Sequence, residues 1–262
     1  MLPDTFCFAT PELDNQAKAI KAPKDQSTQT GFIGVSGSAP STGWNTFDEH
    51  LKVESGKAFR SELAAPDAEE FHSKWQETVT HIRRDIEIAL HCNKDPLNCE
   101  SAGARALLAV AKHASKSAGF AQLAQVNREI NLAISYTSDM AQYGVLDYWA
   151  SPIETLTNGA GDCEDYAIAK YAVLRLLGIP EQHLQLVIVR EQRSHQLHAV
   201  LEVMYGGTWR ILDSRTMILA AADQARHYNP ISVLVGRPET IEDWATLAST
   251  QHGTRSAEAA AQ

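Results

Sequence analysis

A helix that passes directly into strand-forming sequence is the feature that most limits the fold of this chain. GAGDCEDYAIAKYAVLRLLG (159–178) places Ala167, Tyr171, Leu174 and Leu177 on one helical face, and Gly178 and Pro180 stop it. Two β-branched runs follow at once, LQLVIVR (184–190) and LHAVLEVM (197–204). Gly206-Gly207 turns the chain and WRILD (209–213) returns, with a weaker strand, ISVLVG, at 231–236. Short connections between strands require antiparallel pairing, so the expected class is α+β, with a helical N-terminal part packed on an antiparallel β-sheet.

The helical part begins near Ala65. PDAEEFHSKWQETVTHIRRDIEIAL spaces Phe71, Trp75, Val79, Ile82, Ile86 and Leu90 by three and four, with Asp67, Glu69 and Glu70 at its start. A second helix is expected from about Ala102 to Ser115 and a third from about Phe120 to Ser138, with Phe120, Leu123, Val126, Ile130 and Ile134 on one face. Residues 1–60, rich in Ser, Thr, Gly and Pro, read as loosely ordered, 61–250 as the folded domain and 251–262 as a frayed tail.

With 44% hydrophobic residues the chain can bury a substantial core. A net charge of −9 and the lack of any long Lys/Arg run argue against nucleic acid as a partner. No stretch is apolar for the length of a membrane span. The N-terminal residues lack the basic start and apolar run of an export signal, leaving open a cytoplasmic protein or a signal outside this stretch. Cys92 and Cys99, separated by a Pro-Asn turn, suit a small disulfide loop as well as two buried thiols. That leaves Cys163 as the unpaired cysteine in a chemically loaded setting.

Cys163 stands at the first turn of its helix, where unpaired N–H groups and the helix dipole favour a thiolate and can cradle an oxyanion. If Gly206-Gly207 forms a symmetric two-residue turn, Met204 faces Trp209 and Val200 faces Asp213. His198 and Asp213 are then diagonal neighbours on one sheet face, roughly 7–8 Å apart between backbones. That is within reach of a His–carboxylate contact, and the pattern reads as a Cys163–His198–Asp213 triad. His195, in the EQRSHQ loop, is the weaker candidate base.

Asp162, Glu164 and Asp165 crowd the cysteine. One carboxylate about 6 Å from a thiolate costs roughly 2–3 kcal/mol at an effective dielectric near 20. A helix end returns only about 0.3–1 kcal/mol. Simple capping accounts for Asp162, but the crowding as a whole calls for a counter-charge such as Ca²⁺, with Asp162, Glu164 and Asp165 as its ligands.

YGVLDYWASPIETLTNGAGDCEDYAIAKYAVLRLLGIP, followed by LHAVLEV and WRILDSRTM, resembles the bacterial transglutaminase-like cysteine proteinases over about residues 118–220. The resemblance implies a transglutaminase/papain-like core with Cys163 as nucleophile, His198 as base and Asp213 as orienting acid. It departs at Ser214, where the family more often has Asn. In the adhesin-releasing branch it also implies calcium dependence, periplasmic location, a surface adhesin as substrate and a membrane receptor as regulator. The expected function is a cysteine endopeptidase acting on a protein or peptide. The alternatives are a transglutaminase-type acyltransferase, which the same triad serves, and a non-catalytic peptide-binding module.

Overall fold

A computed structural model describes residues 68–236. The expected loose segment 1–60 and the tail 251–262 lie outside these residues. The long amphipathic helix is α1 (Ala68–Lys94), which buries Phe71, Trp75, Val79, Ile82 and Ile86 at the anticipated spacing. α2 (Ala102–Ala114) is capped by Ser101, whose hydroxyl accepts the Ala104 N–H at 3.1 Å. Between these helices Cys92 and Cys99 form a disulfide, which decides the question their spacing left open.

α3 (Gly119–Ala133) ends before the expected Ser138. From Ile134 the backbone turns extended, and β1 (Ser135–Tyr136) pairs in parallel with β2 (Ala160–Gly161). The polar run SYTSD can satisfy its backbone in that ladder without continuing the helix. Two short helices absent from the sequence reading follow, α4 (Asp139–Gln142) and α5 (Pro152–Asn158). Ser151 caps α5, and the Asp85 carboxylate of α1 accepts the Ile153 N–H at 2.8 Å.

α6 (Cys163–Leu176) is the central helix. The expected apolar stripe is too narrow, since every residue from Cys163 to Leu174 is buried while Leu177 is only half-buried. A helix enclosed on all sides has no polar face to give to water. Trp75 of α1 meets Tyr171 of α6 edge to face, with ring centroids 5.2 Å apart.

The sheet is antiparallel, in the order β6-β5-β4-β3-β7. Its strands are β3 (Leu184–Glu191), β4 (Leu197–Tyr205), β5 (Thr208–Leu212), β6 (Ala220–Ala221) and β7 (Tyr228–Val235). Leu197, Ala199, Leu201 and Val203 of β4 join the helical core, while Val200 packs with Val187, Val189 and Ile211 in a second cluster. Alternation along one strand thus serves two apolar layers. Gly206 and Gly207 both have positive φ, 59° and 73°, and Met204 pairs with Trp209 as the symmetric turn requires. The class is α+β, as the sequence suggested.

Helix α2 touches α5 closely because Gly103 has no side chain. A Cβ at Gly103 would overlap the Ile153 carbonyl oxygen, a backbone atom that cannot rotate away. Gly103→Ala is therefore expected to destabilise the domain by about 1–3 kcal/mol despite the better helix propensity of alanine. A chemical denaturation midpoint equal to or above that of the parent would show that the two helices part without cost.

Candidate active site

The β4–β5 ladder ends at Leu201–Leu212, one pair short of Val200 and Asp213. Beyond that end the two strands part and the polar site is built. The Ala199 N–H donates to the Cys163 sulfur at 3.1 Å, so α6 delivers its first residue to the open edge of β4. His198 is fully buried, and its Nε2 lies 2.8 Å from Asp213 Oδ1. His198 Nδ1 has no hydrogen-bond partner among the described residues. His195 instead sits exposed in the β3–β4 turn, with a left-handed backbone (φ 59°).

Asp213 is held by several donors. Tyr228 O–H donates to Oδ2 at 2.6 Å and the Arg215 N–H to Oδ1 at 3.0 Å. Burial alone would raise its pKa, but His198 and these hydrogen bonds hold the carboxyl well below the ordinary range. Burial pushes the His198 pKa down, opposed in part by Asp213. The pair is thus an ionised carboxylate orienting a neutral imidazole, with one ring nitrogen fixed and the other available as a base.

Cys163 is disulfide-bonded in this structure and only 2% exposed, which corrects its reading as the unpaired cysteine. The physical reason lies in its setting: a helix start and an N–H donor stabilise the thiolate, and thiolates are the species that exchange into disulfides. Thiol chemistry at this position belongs to the reduced chain.

The acidic residues divide differently from the expected trio. Asp162, Glu164 and Asp139 bring carboxylate oxygens within 4.8 Å of one another, all three residues buried. Asp165 faces elsewhere: it accepts the Ala150 N–H at 2.9 Å and the Asp162 N–H at 3.3 Å, so its carboxylate secures the helix start and the preceding loop. Asp139, which the sequence reading missed, arrives because the β1–β2 ladder aligns Tyr136 with Gly161. Burial and the Asp162 charge raise Asp139 to about 7. Burial raises Asp162 to about 6, and burial with the Asp162 charge pushes Glu164 well up.

Asp139 Oδ1 and Asp162 Oδ1 are buried without hydrogen-bond partners among the described residues. Hard, convergent carboxylate oxygens of this kind fit a cation such as calcium. Glu164 Oε2 also lies 3.4 Å from the Cys163 sulfur, so the charge state of this cluster bears directly on Cys163.

A cysteine at a helix start, beside a His–Asp pair on an antiparallel sheet, defines the class of transglutaminase/papain-like cysteine hydrolases. Within that class the chain belongs to the bacterial transglutaminase-like cysteine proteinase family BTLCP, which matches residues 80–251. No curated protein matches the chain. Similar solved structures include Legionella pneumophila LapG in its calcium-bound form, 24% identical, covering 65% of this chain and 98% of that one with a TM-score of 0.46. Its EGTA-treated form is 22% identical, covering 64% and 96% with a TM-score of 0.45. A TGase is 14% identical, covering 52% and 38% with a TM-score of 0.34.

Lys170 is a further buried polar residue that the sequence reading passed over. Its Nζ has no hydrogen-bond partner among the described residues and lies 5.9 Å from the Tyr166 ring centroid. Burial lowers its pKa from 10.5 to about 7, with Asp213 opposing the shift. Between these values the unfolded chain binds more protons than the folded one, so stability rises with pH. Lys170→Met is therefore expected to stabilise the protein by about 1–4 kcal/mol at pH 6, with the gain shrinking toward pH 10. Thermal unfolding of both proteins across this range checks it, and a gain that grows with pH would refute the burial argument.

Proposed function

We propose that this chain is a cysteine endopeptidase that cleaves a protein substrate through Cys163, His198 and Asp213. The observation that carries the reading is the arrangement of His198: Nε2 is tied to Asp213 while Nδ1 stays unbonded, beside a strand whose next amide touches the cysteine sulfur. In the reduced chain the Cys163 thiol passes its proton to His198 Nδ1. The thiolate attacks the peptide carbonyl carbon, and the C–N bond breaks as the imidazolium protonates the departing amine. His198 then removes a proton from water, whose oxygen attacks the thioester carbonyl carbon; the C–S bond breaks, the carboxylic acid leaves, and the imidazolium returns the proton to the Cys163 sulfur. Asp213 remains ionised throughout and fixes the imidazole tautomer.

Asp139, Asp162 and Glu164 are the residues that would hold Ca²⁺. When bound, the ion supplies the positive charge that lets the neighbouring carboxylates ionise beside the nucleophile. We further propose a periplasmic location, which the Cys92–Cys99 disulfide favours over a reducing cytoplasm. We propose a surface adhesin as substrate and a membrane receptor as regulator on the resemblance to the adhesin-releasing branch alone. Among the described residues no helix is long and apolar enough to cross a membrane.

The reduced protein should hydrolyse fluorescein-labelled casein, while the unreduced protein and Cys163→Ala should not. Asp213→Asn should retain a weaker residual rate, as in other triads. Equal activity of Cys163→Ala would remove Cys163 from the mechanism. Products in which an added primary amine replaces water throughout would favour the acyltransferase.

Calcium gives a separate test. Raised carboxyl pKa values mean that the metal-free fold binds more protons than the unfolded chain between the ordinary value of 3.8 and about 6–7. Stability without metal should therefore fall as pH rises through that window. Calcium at 100 times its Kd should restore about 2.7 kcal/mol at pH 7.5, and much less at pH 5, where protons compete. Asp139→Ala should abolish the calcium shift. A variant that keeps the full thermal shift would remove Asp139 from the site.

A further inference from the structure

The turn that carries Asp213 is fastened to α3 by side chains outside the triad. Asn131 Nδ2 donates to the Asp213 carbonyl oxygen at 2.9 Å and to the Thr216 carbonyl oxygen at 3.1 Å. One amide group thus bridges both ends of the turn Asp213–Thr216. Asn127, one helical turn earlier and fully buried, donates to the same Thr216 carbonyl at 2.8 Å. Inside the turn the Arg215 N–H reaches back to the Asp213 carboxylate at 3.0 Å.

β5 ends at Leu212, so no ladder bond reaches Asp213 from its sheet neighbour. Its backbone is positioned by the turn, and the turn is positioned by the two asparagines. Both Asn Oδ1 atoms are buried without partners among the described residues. A buried unsatisfied acceptor costs about 1–3 kcal/mol, and an apolar side chain would spare the core that cost. Only the two amide donors recover it.

We propose that Asn131, supported by Asn127, is a positioning residue that sets the angle at which the Asp213 carboxylate meets His198. It acts through the backbone of the Asp213–Thr216 turn and touches no reacting atom. The inference rests on the triad reading, and it extends that reading to a helix with no other part in the chemistry. Lateral displacement of Asp213 by even 1 Å would release His198 from its tautomer and orientation.

The test is alkylation of reduced Cys163 by iodoacetamide, followed at the Cys163 peptide by mass spectrometry. At pH 7 the reaction depends on the thiolate that an oriented imidazole maintains, and at pH 10 any thiol is largely ionised. Asn131→Leu should alkylate about 10–100-fold more slowly at pH 7 and within about twofold of the parent at pH 10. Asn131→Asp, which keeps the shape but replaces the donor by an acceptor facing two carbonyls, should behave alike and covers the case in which the leucine variant does not fold. Hydrolysis of p-nitrophenyl acetate should lose kcat with KM held. A folded variant with parental alkylation at pH 7, or one slowed equally at both pH values, overturns the assignment. If the parent itself does not turn over the ester above Cys163→Ala, the peptidase reading fails and the alkylation rates alone decide the role of Asn131.

Discussion

Everything chemical in this domain depends on the register between β4 and β5. Gly206 and Gly207 can both take positive φ, which closes the hairpin in two residues and fixes Met204 opposite Trp209. From that point the pairing is determined down to Leu201–Leu212, and His198 and Asp213 meet just beyond its end. A one-residue slip would turn the histidine to the opposite face, among the Leu and Ala side chains that pack against the helices. The end of the ladder matters as much as its register. Where β5 departs, a strand amide is left to meet the cysteine sulfur and a turn is left to carry the carboxylate.

Burial is the second constraint, and it works on acids and bases in opposite directions. His198 and Lys170 are both pushed toward their neutral forms, while Asp139, Asp162 and Glu164 are pushed toward protonation. Asp213 alone among these groups is held ionised, because Tyr228, Arg215 and His198 replace the water it lost. The same physics therefore separates one carboxylate with donors from three carboxylates that crowd together. The first can orient a base at neutral pH. The others carry their full negative charge only if a cation shares the space.

Much of this was legible before any coordinates. The α1 spacing, the α6 stop at Gly178 and the Gly-Gly turn are local signals, and they placed the elements and the His198–Asp213 pair correctly. What escaped the sequence were contacts made by short or distant pieces. Asp139 is brought to Asp162 by a ladder two residues long, which no periodicity announces. The overlong third helix failed for the same reason, since Ser135 and Tyr136 gain more from pairing with Ala160 and Gly161 than from continuing α3. Asn127 and Asn131 looked like ordinary helix residues, and only their reach across to residues 213 and 216 gives them a role. Asp165 was misdirected by proximity. Its neighbours in sequence suggested a ligand, while its oxygens are taken by backbone amides.

That last case exposes how the first turn of α6 is organised. Successive helical residues point about 100° apart, so adjacent residues cannot share a target. Asp162, before the helix proper, and Glu164 converge on Asp139, while Cys163 between them is turned to the Ala199 amide. Asp165 is rotated back toward the loop at Ala150. A metal set of Asp162, Glu164 and Asp165 would need the last of these to abandon the bonds that hold the helix start in place. Recruiting Asp139 from another element removes that conflict. It leaves Asp165 free to fix the turn on which Asp162, Glu164 and Cys163 stand. Within a few residues the duties are separate: Asp165 is spent on structure, Asp162 and Glu164 face Asp139, and the Cys163 sulfur meets the Ala199 amide while Glu164 Oε2 stays 3.4 Å from it.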